Sequence, residues 1–525
     1  MRRINKPIWL LCAFAIVVTA FAARGDAQLP QTRGVQSVGE IGVDPIEEPD
    51  GAKSTLPFGV QFAAGWGLDL LDGVADGVYN YPEGADGRGI DVYVVDSGVY
   101  TPHPEFGGRA ISGKSYVTST QCRFDGVTYT NWDGHGTHVA GIVNSHTYGV
   151  AKGLRVIDVR ILDNCGNGDS DLAALAMGWI VRHHKATRIG IVNMSFGGPA
   201  DRTTEAMEFA VRDLLADNLI PVVAAGNEGV DACNTAPANV TEALTVGALG
   251  TVGPSLYMAD YSNYGSCVDL LAPGNSIRST WNNYNPVGWT LTLRGTSMAT
   301  PFVSGLAALF AQRYPLRCAD SVRDALVASA ATSFAIASLK PNTTNRVAQL
   351  DLRVAPARTA PGRVTRVIPV ASANGAATVG WDKPCSGGAA ITGSTVRVYR
   401  NELPVRTEYV AGNGTSITIT GLANGVNYAF NVRTENALGV GSFSPLSRTV
   451  QVGPLRTGVS NARLVEEVVA IPNPRDVTVV PESRLVCQII NEGGYKLVGL
   501  SPGICAIRIR PPDAGYTIKR QIVVS

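Results

Sequence analysis

The chain has 525 residues, of which 45% are hydrophobic and 17% charged. That composition suits packed cores and excludes a disordered, highly charged polymer, while the length calls for about two to four domains. With 44 basic and 43 acidic residues and a formal net charge of +1, no dominant field argues for nucleic acid or an anionic membrane as partner.

Arg2, Arg3 and Lys6 precede a mostly apolar run over 8–23, which ends in small residues before Arg24, Gly25 and Asp26. This is the layout of a secretory signal peptide, assigned to 1–27 with cleavage near Ala23 or Ala27. A retained anchor is the alternative, but the run is shorter than the roughly 20 residues a spanning helix needs. No second such run follows, so no membrane span is expected after signal removal. Nine cysteines are present, and loss of Cys12 with the leader leaves an even number. In an exported chain that points to disulfides more than to metal or redox chemistry. Residues 28–60, rich in Pro, Gly and Glu without periodicity, read as a short leader or propeptide.

From 61 to 350, short β-branched runs at 90–95, 156–162, 189–196 and 220–225 are separated by helical stretches. Strand, helix, strand order predicts an α/β domain on a doubly wound parallel sheet with both faces covered. Asp169, Ser170 and Asp171 open one helix reaching Lys185; Asp201, Thr203 and Thr204 open another reaching Asn218. A Pro, Ala and Arg stretch at 353–363 marks a domain boundary. Beyond it, 361–454 alternates short strands with Gly or Asn turns. Trp381 follows one apolar run, and Gly421, Leu422, Val426, Tyr428, Phe430 and Val432 make another. This segment resembles a fibronectin type III domain, a β-sandwich in which Trp381 would be core and the Tyr428 hydroxyl would tie down a loop. Residues 455–525 read as a small β-rich module in which Cys487 and Cys505 are near enough to form a staple.

All six histidines lie between 103 and 184, which narrows any search for a general base. His183 and His184, beside Arg182 and Lys185, read as a solvated helix end. His135 stands in Asp133-Gly134-His135-Gly136-Thr137-His138-Val139-Ala140-Gly141, where glycines let another chain approach and apolar residues begin a helix. His135 and His138 are also spaced for metal on one helical face, but no carboxylate or cysteine stands at a companion spacing. Asp96 ends a strand and is followed by Ser97 and Gly98; alone it would be a turn residue, yet functional groups gather beyond the carboxyl ends of doubly wound strands. Ser297 lies in Gly295-Thr296-Ser297-Met298-Ala299-Thr300-Pro301, leading into an apolar helix through Phe310. Alone it would be an N-cap; with Pro301 in a first turn, the helix's free amides would favour a developing oxyanion nearby.

Together these segments resemble the subtilisin family, and within it the proteinase K and aqualysin branch. The order Asp, His, Ser is the subtilisin order. The likeness covers roughly 62–345 and includes Trp66-Gly67-Leu68, His103-Pro104-Glu105-Phe106, Ser195-Phe196-Gly197-Gly198, Ala224-Ala225-Gly226-Asn227 and Ser262-Asn263-Tyr264-Gly265-Ser266. It implies a secreted serine endopeptidase of broad specificity. Ser297 would be the nucleophile, His135 the general base, Asp96 the group that orients the imidazole, and Asn227 the side-chain oxyanion donor beside the Ser297 amide. Gly197, Gly198, Ala224, Ala225 and Gly226 would edge a cleft that takes an extended peptide as a strand.

The resemblance further implies the disulfides Cys122 with Cys165 and Cys233 with Cys267. With Cys487 and Cys505 paired, Cys318 and Cys385 are left as an interdomain bridge. Calcium is the implied cofactor, held by Asp269 with backbone carbonyls near Thr241 and Ala243, and no organic cofactor is expected. Between signal and likeness, 28–60 is short for a folded inhibitory propeptide, so either a short leader suffices or folding is assisted differently. Sequons occur at Asn193, Asn239, Asn342 and Asn413, the first in a predicted core strand. Expected partners are polypeptide substrates and an extracellular or surface ligand of the C-terminal β-modules. Two other readings stay open: an inactive subtilisin-like scaffold that binds through those modules, and an adhesive protein in which 361–525 carries the main role.

Overall fold

The computed structural model describes residues 59–453, apart from 82–84, 118–121, 125–126, 130–133, 185–187, 283–288 and 373–374, together with short strands outside that span. Almost all of the signal segment and leader lies outside the described residues, as do the side chains of Cys122, Cys487 and Cys505.

The first domain is built on a nine-stranded sheet. Its central strands run in the spatial order Leu244–Val252, Leu219–Ala224, Gly190–Met194, Asp91–Asp96, Arg155–Arg160, Ala110–Ser115, all parallel to their neighbours. Ser255–Met258 turns back antiparallel on the Leu244–Val252 strand, and Ile336–Ala337 lies parallel to Ser255–Met258 at the edge. The order reverses between Asp91–Asp96 and Gly190–Met194: later strands spread to one side, while Ala110–Ser115 and Arg155–Arg160 lie on the other. Such a reversal opens a crevice at the carboxyl ends of the two strands. The first of them ends in Asp96, and Ser195 directly follows the second.

The strands are apolar on both faces because both are covered. Val92, Val94, Ile191 and Val222 pack with the helices His135–Asn144 and Thr296–Arg313. Tyr93, Val95, Val192 and Val223 face the other way, onto Ser170–His183 and Glu205–Ala216. Alternation of side chains along a strand supplies the two cores, and burial on both faces explains the near-continuous Val and Ile runs.

Element limits differ from expectation for local reasons. Asp169 caps its helix by accepting from the Asp171 amide, as expected, but the helix stops at His183. The next helix begins at Glu205, because Asp201–Thr204 is spent on a capping turn in which Asp201 Oδ1 accepts from Thr203 N at 2.8 Å. It ends at Ala216, and Asn218 takes a left-handed φ of 63° before the strand. Pro301 lies inside Thr296–Arg313, beyond its first turn.

Residues beyond the boundary form two facing sheets, Val367–Ser372 with Ala376–Trp381 and Ser416–Ile419, and Leu403–Ala411 with Ile391–Arg400 and Asn427–Asn436. Trp381 is in their core, and the Tyr428 hydroxyl accepts from the Ala423 amide at 3.1 Å, tying the loop as expected. Among the described residues beyond 453, two three-stranded sheets form. Cys233–Cys267 and Cys318–Cys385 are bonded, and Cys165 is in a disulfide. Its expected partner Cys122, and the pair Cys487 and Cys505, lie outside the described side chains.

Candidate active site

The Asp91–Asp96 strand delivers Asp96 fully buried at its last position. Its Oδ1 accepts from the Ser97 amide at 2.7 Å and lies 2.8 Å from Nδ1 of His135, which is also buried. The carboxylate accepts, so Nδ1 carries the proton and Nε2 keeps the lone pair. His135 opens the helix His135–Asn144, and the close approach depends on its neighbour. A Cβ on Gly136 would sit 2.5 Å from the Gly98 carbonyl oxygen, so only glycine lets this helix reach the turn after Asp96. The Gly136 amide also donates to Ser97 Oγ at 3.1 Å.

Ser297 is the second residue of Thr296–Arg313 and fully buried. In the first helical turn its amide has no intrahelical acceptor, and the helix's positive end favours negative charge there. Its Oγ donates to the Ser195 carbonyl at 3.0 Å, which brings the hydroxyl to the strand end beside that of Asp96.

Asn227 follows the strand Leu219–Ala224 on a turn that Asn263 organises. Asn263 is fully buried; its Oδ1 accepts from the Glu228 and Val230 amides, and its Nδ2 donates to the Ala225 carbonyl. At Gly226, with φ of 115°, a Cβ would meet Asn263 Nδ2 at 1.9 Å. Asn227 Oδ1 accepts from the Thr296 amide at 2.8 Å and from Thr296 Oγ1 at 3.0 Å. The amide orientation is therefore set: the oxygen caps the helix that bears Ser297, and the NH2 end is left to donate. Gly198 and Pro199, expected at the edge of a cleft, pair antiparallel with Ala236 and Thr235.

The paired-histidine metal reading fares poorly. His138 is buried, with Nε2 3.1 Å from the Ile277 carbonyl and 3.0 Å from that of Leu291, so this nitrogen donates. Burial, with His135 nearby, holds its pKa down at about 3. His183 is not simply solvated either: its ring stacks on Trp179 at 4.5 Å and its Nδ1 lies 3.0 Å from the Tyr93 hydroxyl.

Asp269 is half-buried; Oδ2 accepts from the Thr245 amide at 2.8 Å, and burial pushes its carboxyl up to about 6 against the pull of that bond and of Arg323 and Arg346. One desolvated carboxylate with main-chain oxygens at Thr241 and Ala243 is a donor chemistry that fits Ca²⁺. Among the described residues no group of three or more His, Cys, Asp or Glu could hold a metal ion, so such a site would rely on carbonyls and water.

Reading by residue type missed Thr296, Asn263 and the side chain of Ser195. Each stands inside one of the family-like motifs, but a hydroxyl before Ser297 or an amide after Ser262 carries no spacing signal of its own.

The model of the subtilase family matches residues 87–354, just over half of the chain, and that of the fibronectin type III domain matches 359–450. An extracellular serine proteinase of Thermus sp. (strain Rt41A) is 43% identical over 51% of this chain and 62% of its own length. Alkaline serine exoprotease A of Vibrio alginolyticus is 36% identical over 56% of this chain and 50% of its own length. Proteinase T of Parengyodontium album is 40% identical over 47% of this chain and 80% of its own length. The chain thus spans between about half and four fifths of these relatives. No helix among the described residues is long and apolar enough to cross a membrane. By its matched domain, its doubly wound sheet and the residues gathered at the strand ends, the chain belongs to the subtilase family.

Proposed function

We propose that the chain is a secreted serine endopeptidase in which Ser297, His135 and Asp96 form the triad. The observation that carries this is the 2.8 Å contact between buried Asp96 and His135 at the same crevice as the first turn that bears Ser297. In the resting state the Ser297 hydroxyl donates to Ser195, so attack requires it to turn toward His135 Nε2. Nε2 takes the proton as Oγ bonds to the peptide carbonyl, then returns it to the leaving amine. Asp96 holds Nδ1–H throughout and stabilises the imidazolium. The oxyanion accepts from the Ser297 amide and Asn227 Nδ2, and water repeats the cycle on the acyl-enzyme. Small residues at Gly197, Gly198, Ala224, Ala225 and Gly226 support a roomy cleft and broad preference.

In the same reading Asp269, with carbonyls of Thr241 and Ala243, would hold a Ca²⁺ ion that neutralises a buried carboxylate and stabilises the fold. Removal by chelator should lower the Tm by several degrees; an unchanged Tm would dispose of the site. The division into signal 1–27, leader 28–60, peptidase domain 61–350, sandwich 361–454 and tail 455–525 belongs to the proposal. So does an extracellular or surface ligand for the last two modules. The function is tested by casein hydrolysis with purified protein and its Ser297→Ala variant: activity lost in the variant supports it, and an inactive, correctly matured wild type favours a binding scaffold.

A further inference from the structure

Beneath Ser297 runs a line of buried polar groups that the triad does not use. Pro301 has no N–H, so the Ser297 carbonyl four residues earlier lacks the helical donor that would ordinarily meet it. The Ser195 hydroxyl takes that place, donating to the Ser297 carbonyl at 3.0 Å. Asn193 Nδ2 donates in turn to Ser195 Oγ at 3.0 Å, and Ser304 Oγ donates to Asn193 Oδ1 at 2.9 Å.

All four residues are fully buried. Ser304 stands two turns along the same face of the helix that bears Ser297. The bonds therefore leave the nucleophile helix, pass through the central strand Gly190–Met194 and return to that helix. Asn193 pairs in register with Val94 on one side and Val222 on the other, so its strand lies between those leading to Asp96 and to Asn227. A polar amide at that depth is costly unless fully bonded, and the bonds it makes all point one way, donor to acceptor, toward Ser297.

We propose that Asn193 and Ser304 are positioning residues for the nucleophile. Through the Ser195 hydroxyl they fix the first turn of the helix, and with it the Ser297 amide and Oγ, against the strand ends that carry Asp96 and Asn227. This rests on the serine-protease reading above. A first turn that slips along the strand changes both the arc through which Oγ must swing and the aim of the oxyanion amide, while the peptide-binding cleft is left intact.

The test compares wild type, Ser304→Ala and Asn193→Asp in steady-state hydrolysis of a peptide anilide, in labelling by a serine-directed phosphonate, and in thermal melts. Loss of one such bond should lower kcat and the labelling rate of Ser304→Ala about three- to tenfold, with KM and Tm little changed. In Asn193→Asp an ionised carboxylate would accept from both Ser304 and Ser195, drawing the Ser195 proton away from Ser297. Its kcat relative to wild type at the same pH should therefore fall further at pH 8 than at pH 5, where a protonated carboxyl can donate again. Wild-type kcat in Ser304→Ala, a deficit confined to KM, or a pH-independent ratio for Asn193→Asp would each overturn the inference while leaving the protease reading intact. A wild type that neither cleaves nor labels would overturn both.

Discussion

Asn227 is engaged at both ends of its amide: its oxygen accepts from Thr296 at the helix start, and in the proposed mechanism its NH2 donates to the oxyanion. Replacing it by alanine should therefore lower kcat about 10²- to 10³-fold with little change in KM, as expected for a donor used chiefly in the transition state. A larger effect on KM would mean that the amide holds the ground state. Gly136→Ala is a different kind of change. The added methyl would sit 2.5 Å from the Gly98 carbonyl and 3.1 Å from Asp96 Cβ, so the helix and the turn must part. Both stability and activity should fall, the former by an amount typical of overpacking, about 1–3 kcal/mol; an unaffected variant would show that the turn yields freely.

At the scale of elements, the Val and Ile runs were readable because a doubly covered parallel sheet demands them, and Asp96, His135 and Ser297 stood beside glycines and helix starts that residue type makes visible. What was not readable follows from through-space pairing. Pro301 reads as a first-turn residue, yet it lies deeper in its helix because Ser195, which is more than 100 positions away, bonds the carbonyl it leaves open. Asp158, inside the expected β run over 156–162, is another case: burial pushes its carboxyl up to about 7 against the pull of a Val99 backbone hydrogen bond and of Arg160, with Asp96 pushing it up. A folded-state value above the unfolded one means that the folded chain holds the extra proton between them. The stability contributed by this group is thus present at low pH and lost as pH rises through about 7. Asp158→Asn should raise Tm at pH 8 and do so much less at pH 5. His138, depressed to about 3, acts in the opposite sense: its contribution is complete above the ordinary histidine range and lost as pH falls toward 3. Equal Tm gains for Asp158→Asn at the two pH values would contradict the buried-carboxyl account.

Over the whole molecule, the 353–363 stretch reads from composition as a domain boundary, and it is bonded on both sides. Arg317 donates to the Pro356 carbonyl at 3.1 Å, Arg363 pairs with Asp217 at 3.3 Å, and Asn436 Nδ2 donates to the Thr359 carbonyl at 2.9 Å. Asp217 precedes the strand Leu219–Ala224, so the sandwich is moored at the amino end of the sheet, opposite Asp96 and Asn227. Cys318–Cys385 closes a loop of sequence separation 67 that contains the whole stretch, a closure that restricts the unfolded chain by roughly 3–5 kcal/mol. A single cut within 353–363 should therefore leave one band on a non-reducing gel and two on a reducing gel, with hydrolysis of small peptides retained. Separation without reductant, or in wild type as readily as in Cys318→Ser, would contradict the mooring.

The most direct test of the catalytic assignment is to react the pure, mature protein with a serine-directed phosphonate and to locate the adduct by peptide mapping, beside the His135→Ala variant. The assignment requires one adduct, on Ser297, formed rapidly in wild type and barely in the variant. An adduct elsewhere, none at all, or equal labelling without the His135 imidazole would contradict it.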